Sequence, residues 1–218
     1  MTDYELFELT RSIPKDDALQ ELIKKGLAYE NKVTKTAFMI SDDKKEKIRY
    51  ILCRETSGTL LDWAWNMVAC KVRDNRRIKQ HAGFLACYLS IHQSLNRAIK
   101  ESPYTKIRFV GFSKGGAIAQ KAFERLPDIH KSKDFISPAI FGSPRLYSWW
   151  SVRKLPQRLR EAEGYRYRSD LVTFVPFFFL GYRHAIKIIP LKRRRIFPLP
   201  WWPFDHYPER YEKELREN

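Results

Sequence analysis

The sequence predicts an α/β fold with a largely parallel sheet. Between residues 80 and 191, short apolar runs of strand character alternate with amphipathic helical stretches, the pattern of strand–helix–strand units. One junction is abrupt: "KIRFVGF" (106–112) passes directly into "SKGGAIAQKAFERL", where Ile118, Ala119, Ala122, Phe123 and Leu126 share one helix face. With 44% hydrophobic and 14% aromatic residues in 218, the chain can bury a substantial core.

Each element follows from its own pattern. Residues 3–12 and 14–25 read as two short helices. The second starts near Pro14 and Asp16–Asp17, buries Leu19, Leu22 and Ile23, and stops at Gly26. "KTAFMIS" (35–41), the charged turn "DDKKEK" and "IRYILCRE" (48–55) read as a β-hairpin. Residues 80–100 are helical, with Phe84, Tyr88, Ile91, Leu95 and Ile99 at steps of three and four. Further strands are expected in "FISPAIFGSP" (135–144), "YRYRSDLVTFVP" (165–176) and "HAIKIIPL" (184–191), and a helix in "PERYEKELREN". Right-handed crossovers then place Gly111–Gly116 at a strand's carboxyl end, where α/β sites form. The chain is expected to be one domain, 1–218, with residues 1–30 as a helical N-terminal cap on the sheet.

The net charge is +16, concentrated in "KVRDNRR" (71–77) and "HAIKIIPLKRRR" (184–195). It favours an anionic partner. The N-terminus carries acids where a signal peptide needs bases and an apolar run. The longest apolar stretch, "LVTFVPFFFLGY", has 12 residues, short of the roughly 20 that a membrane span needs. A cytoplasmic protein, peripheral to a membrane at most, is expected. Cys53, Cys70 and Cys87 lie in apolar surroundings and are expected as buried free thiols.

Candidate chemistry centres on "GFSKGG" (111–116). Flanking glycines let the backbone turn sharply between strand and helix with Ser113 at the apex. The N–H of Lys114 would then point at a developing oxyanion at the helix N-terminus. The competing reading is a Gly-rich turn with a helix-capping serine. A phosphate-binding loop fits poorly, because Lys114 is followed by Gly115 rather than Ser or Thr. A serine hydroxyl needs a base within reach, and the base an orienting acid. Hydrolases of this architecture order them Ser, acid, His. Asp128 and Asp134 look like solvated turn residues, whereas Asp170, at the end of "YRYRS", is placed to hold an imidazole or to cap a turn. His206, in "PFDHYPERY", is the candidate base and His184, in "GYRHA", its rival. His81, His92 and His130 precede Asp170 and read as structural or exposed.

Six segments, in order, resemble the class 3 lipases, the fungal triacylglycerol lipase family with an α/β-hydrolase fold. They are "RETSGTLLDWAWN" (54–66), "HAGFLACY" (81–88), "VGFSKGGAIA", "FGSPR" (141–145), "YRSDLVTFVPFFFLGYRH" and "DHYPERY". The resemblance runs from about residue 35 to 211. It implies Ser113 as nucleophile, Asp170 as orienting acid and His206 as general base and acid. It further implies an oxyanion hole made by Thr56 and the backbone of Lys114, and a non-catalytic His184. Three positions depart from the family pattern. Phe112 replaces His before the nucleophile. Lys114 replaces Leu and would bring a cation to the site or its rim. Glu55 replaces Gly in R-G-T. The family's secretory disulfides have no counterpart in the chain.

The implied function is a serine carboxyl-ester hydrolase acting on lipid esters, with no metal or cofactor. Residues 58–72 sit where the family often places a lid. Arg193, Arg194 and Arg195 with Trp201 and Trp202 are candidates for contact with an anionic membrane surface. Two other readings are a non-catalytic hydrolase-like protein that binds anionic lipid or, less favoured, nucleic acid, and a soluble esterase or thioesterase for small acyl substrates.

Overall fold

A computed structural model describes residues 1–13, 17–54, 70–167, 170–191 and 206–217. Its centre is a seven-stranded sheet in the order β1-β2-β3-β6-β7-β9-β11. These strands are β1 (Ala28–Asn31), β2 (Thr36–Asp43), β3 (Ile48–Cys53), β6 (Lys106–Phe112), β7 (Asp134–Phe141), β9 (Glu163–Tyr167) and β11 (Lys187–Leu191). From β3 to β11 every neighbour is parallel, while β1-β2-β3 form an antiparallel edge. The expected hairpin is β2–β3, with Phe38 opposite Cys53 and Asp43 opposite Ile48. β1 straddles the end of the segment expected as a helical cap, residues 1–30. Four half-polar residues, "AYEN", carry too little alternation to signal a strand, and it is pairing with β2 that makes them one.

The period-two alternation of the strands sorts the core into two faces. Ile51, Cys53, Ile107, Phe109 and Ile140 turn toward α3 (Ala82–Lys100) and α4 (Lys114–Ile129). Tyr50, Leu52, Val110, Phe112, Ala139 and Phe141 turn to the other face. That face is covered by α1 (Asp3–Arg11), α2 (Asp17–Lys24) and α7 (Pro208–Arg216), from opposite ends of the chain. α1 is set by a capping box, in which Thr2 Oγ1 accepts from the Glu5 amide and the Thr2 amide donates to Glu5. Its Leu6 and Phe7 are fully buried. The N-terminal helices are thus one half of a core layer.

A second, four-stranded antiparallel sheet, not anticipated from the sequence, has the order β10-β8-β5-β4. It comprises β4 (Lys71–Arg73), β5 (Lys79–His81), β8 (Tyr147–Ser148) and β10 (Tyr182–Arg183). Strands of two or three residues are below what periodicity detects. The remaining short helices are α5 (Trp149–Val152) and α6 (Gln157–Glu161).

Two expectations about exposure need correction. Cys53 and Cys87 are buried free thiols, and burial pushes the Cys53 thiol up to about 12, but Cys70 is exposed. The basic stretch 71–77 is tied into ion pairs with α4 rather than left as a run of free cations. Asp74, itself buried, accepts from Lys121 at 3.2 Å and Arg125 at 3.1 Å, and Arg76 pairs with Glu124 and Asp128. Among the described residues no helix is long and apolar enough to cross a membrane.

Candidate active site

Ser113 joins β6 to α4 with φ +57° and ψ −126°, a conformation that L side chains rarely adopt. The neighbouring glycines explain how the chain turns there. A Cβ on Gly111 would stand 2.4 Å from the Gly115 carbonyl, and one on Gly115 would stand 2.0 Å from the Cys53 carbonyl oxygen. Only bare backbone lets α4 approach β3 and β6 this closely. The capping alternative fails on geometry: Ser113 occupies the N-cap position, yet its side chain makes no cap hydrogen bond. Its Oγ is buried and has no hydrogen-bond partner among the described residues.

Asp170 follows β9 and is completely buried. β9 ends at Tyr167, earlier than expected, and Asp170 opens a 3₁₀ turn over Leu171–Phe174. The capping and orienting roles weighed for this residue coexist on its two oxygens. Oδ1 accepts from the Val172 amide at 2.9 Å. Oδ2 takes His206 Nδ1 at 2.7 Å and the Tyr211 hydroxyl at 2.5 Å. Burial, and then the Asp170 charge, hold the Tyr211 phenol well above its usual range, so it remains an O–H donor.

His206 lies just before α7, and its ring stacks on Phe112 with centroids 4.8 Å apart and planes 16° apart. A carboxylate on Nδ1 fixes the proton there and leaves Nε2 bare. Nε2 is buried and, like Ser113 Oγ, has no hydrogen-bond partner among the described residues, each other included. A donor and an acceptor therefore stand unsatisfied, the acceptor on a ring stacked on Phe112, the residue that precedes Ser113 in the chain. Catalytic hydrogen bonds are often long before substrate arrives and tighten afterwards.

Sequence reasoning missed the support of this constellation. Phe7 of α1 packs edge-on against Phe112 and Phe141, at 5.7 and 5.1 Å, and stacks on Tyr211 at 5.8 Å. Tyr211 also packs edge-on against Phe112 at 5.3 Å. The replacement of the family histidine by Phe112 was legible only as a departure, and its partner is the candidate base. Tyr211 closes "DHYPERY", where nothing in the local pattern marks it as a partner of Asp170. Nothing in the helical pattern of residues 3–12 signals a link to a site 100 residues away.

Lys114 opens α4, whose first-turn N–H groups point out of the helix N-terminus. Its side chain was expected at the site or its rim. The buried ammonium instead reaches the β1–β2 turn, 3.4 Å from Thr34 O, Lys35 O and Thr36 Oγ1. Burial lowers its pKa. His184 donates from Nε2 to Thr173 O at 2.7 Å, and its Nδ1 is buried with no hydrogen-bond partner among the described residues. Burial, with Arg145 and Arg166 nearby, lowers it to about 4. His81 accepts from the Gly83 amide at the start of α3, and His92 and His130 bind Tyr88 and Asn96. Thr56, Glu55, Arg193, Arg194, Arg195, Trp201 and Trp202 lie outside the described residues, as do positions 58–69 of the expected lid. Of the lid's last three positions, Cys70 is exposed and Lys71 and Val72 belong to β4.

The chain belongs to the lipase (class 3) family, whose model matches residues 50–180. No curated protein matches it. Among solved structures it is similar to the triacylglyceride lipase of Rhizomucor miehei, with 20% identity and a TM-score of 0.66, covering 75% of this chain and 64% of that one. Lipase II from Rhizopus niveus is similar at 20% identity and TM-score 0.65, over 78% of this chain and 68% of that one. A third likeness, at 20% identity and TM-score 0.66, is to a triacylglycerol lipase whose catalytic centre is formed by a serine protease triad. It covers 76% of this chain and 65% of that lipase. The shared architecture is the α/β-hydrolase fold. The chain thus spans about two thirds of the length of these lipases.

Proposed function

We propose that this protein is a serine carboxyl-ester hydrolase acting on lipid esters, a lipase or phospholipase, with Ser113, Asp170 and His206 as its triad on one domain spanning the chain. The observation that carries the reading is the His206 Nδ1–Asp170 contact at 2.7 Å, taken with a buried serine on the strand-to-helix elbow that caps nothing. The family model and the likeness to fungal triacylglycerol lipases support it.

In this mechanism Ser113 Oγ attacks the acyl carbonyl as its proton passes to His206 Nε2. Asp170 holds the imidazole and stabilises the imidazolium that forms. The oxyanion is received by the Lys114 amide and, by resemblance, by Thr56. Collapse expels the alcohol, which takes the proton from His206. Water, activated by the freed Nε2, then cleaves the acyl enzyme and regenerates Ser113. No step calls for a metal or cofactor.

Hydrolysis of p-nitrophenyl esters of increasing chain length, and of emulsified triacylglycerol and phospholipid, tests the reading. Activity is expected to rise with acyl length, and Ser113→Ala to lower it on the order of 10⁶-fold. Preference for acetyl over long acyl chains would replace the lipase with a soluble esterase or thioesterase. Absence of hydrolysis by folded protein would leave a non-catalytic binder of anionic lipid.

A further inference from the structure

Among the described residues, every exposed tryptophan and phenylalanine falls in one patch. Trp149 and Trp150 open α5, and Phe177, Phe178 and Phe179 follow the 3₁₀ turn that starts beside Asp170. Trp150 is 82% exposed and Phe179 72%. The two segments are one surface. Trp149 meets Phe178 edge-on at 5.8 Å, Phe177 stacks on Phe179 at 5.3 Å, and the Trp149 amide donates to Gly181 O at 3.0 Å.

The scaffold holds these rings outward. Arg145 donates from its backbone to Val175 O at 2.8 Å and from its guanidinium to Phe174 O at 2.7 Å. Lys71 donates to Leu180 O at the other end of the phenylalanine run. Aromatic rings pinned in water on a folded surface mark a contact site.

Charge identifies the occupant. Neither residues 142–160 nor 171–191 contain an Asp or Glu. Arg153 and Lys154 follow the tryptophans, Arg183 lies on β10, and Arg73 and Lys79 lie on β4 and β5 of the same small sheet. All five are exposed, and none forms an ion pair with a described residue. Aromatics ringed by uncompensated bases complement an anionic lipid surface. The patch segments leave the carboxyl ends of β7 and β9, and Ser113 and Asp170 leave the carboxyl ends of β6 and β9. Patch and candidate site therefore both lie in segments that follow the carboxyl ends of the parallel strands.

We infer that Trp149, Trp150 and Phe177–Phe179, with the bases around them, form a bilayer-docking surface selective for anionic membranes. The inference deepens the lipid-ester reading and rests on it for its purpose, whereas its test needs no turnover.

The experiment is cosedimentation with phosphatidylcholine vesicles, with and without phosphatidylglycerol, in a Ser113→Ala background. Trp150→Ser with Phe179→Ser should weaken binding to both vesicle types at least about tenfold. Arg153→Glu with Lys154→Glu should weaken only the anionic case, by about fivefold or more per base, and the difference should fade in high salt. Both pairs are solvent-exposed, so either keeps the test open if the other misfolds. Unchanged binding in both variants, or no binding by the parent protein, overturns the surface, the latter assigning the patch to a protein partner. Docking as expected without lipid-ester cleavage by the wild type would leave the surface standing and remove the hydrolase reading.

Discussion

Replacing Ser113 by glycine should make the protein more stable while abolishing its proposed activity. The native φ of +57° with ψ −126° costs a non-glycine residue about 1–3 kcal/mol. The buried, unpartnered Oγ adds a desolvation penalty of about 1–3 kcal/mol. Glycine removes both and gives back about 0.5–1 kcal/mol in chain entropy. A net gain of about 2 kcal/mol corresponds, in a chain of this size, to a rise in Tm of roughly 4–8 °C. Ser113→Ala removes the hydroxyl and keeps the strain, so its gain should be about half as large. Urea unfolding and scanning calorimetry of wild type, Ser113→Ala and Ser113→Gly give both differences. A glycine variant no more stable than the alanine variant would refute the claim that the elbow stores backbone strain.

Three further outcomes are expected. Tyr211→Phe takes one of three donors from Asp170. It should lower kcat about tenfold, equivalent to about 1.4 kcal/mol, with KM nearly unchanged, as steady-state kinetics would show. His184 has a native pKa below its unfolded value, so unfolded chains bind its proton first as pH falls. Its contribution is intact above pH 6.5 and declines toward about 4, by at most about 3 kcal/mol. Denaturation of His184→Gln should flatten that slope. Gly115→Ala would place a methyl 2.0 Å from the Cys53 carbonyl oxygen. It should cost about 2 kcal/mol or more by thermal melting, despite alanine's better helix propensity.

What the sequence showed and what it hid follow from range. The parallel strands, α3 and α4 announce themselves through contiguous periodicity, and the glycines around Ser113 mark the elbow because a strand and a helix flank them. β8 and β10 exist through pairing with distant segments and β1 through its pairing with β2, so four or fewer residues of each carry no local signal. The triad candidates came from the order Ser, acid, His and from the resemblance. The supports did not. Phe7 reaches Phe112 and Tyr211 from the opposite end of the chain, and Tyr211 reaches Asp170 from α7, 41 residues further along the chain. The Lys114 side chain, expected at the site or its rim, was drawn to the carbonyls of a turn about 80 residues earlier.

Treatment with a fluorophosphonate, read by intact mass and by the labelled peptide, tests the central claim most directly. An activated nucleophile predicts one phosphonyl adduct on Ser113, lost in Ser113→Ala and His206→Ala and slowed in Asp170→Asn. Folded wild-type protein that takes up no adduct, or that carries it on a different residue, would contradict the assignment of Ser113, Asp170 and His206 as a working triad.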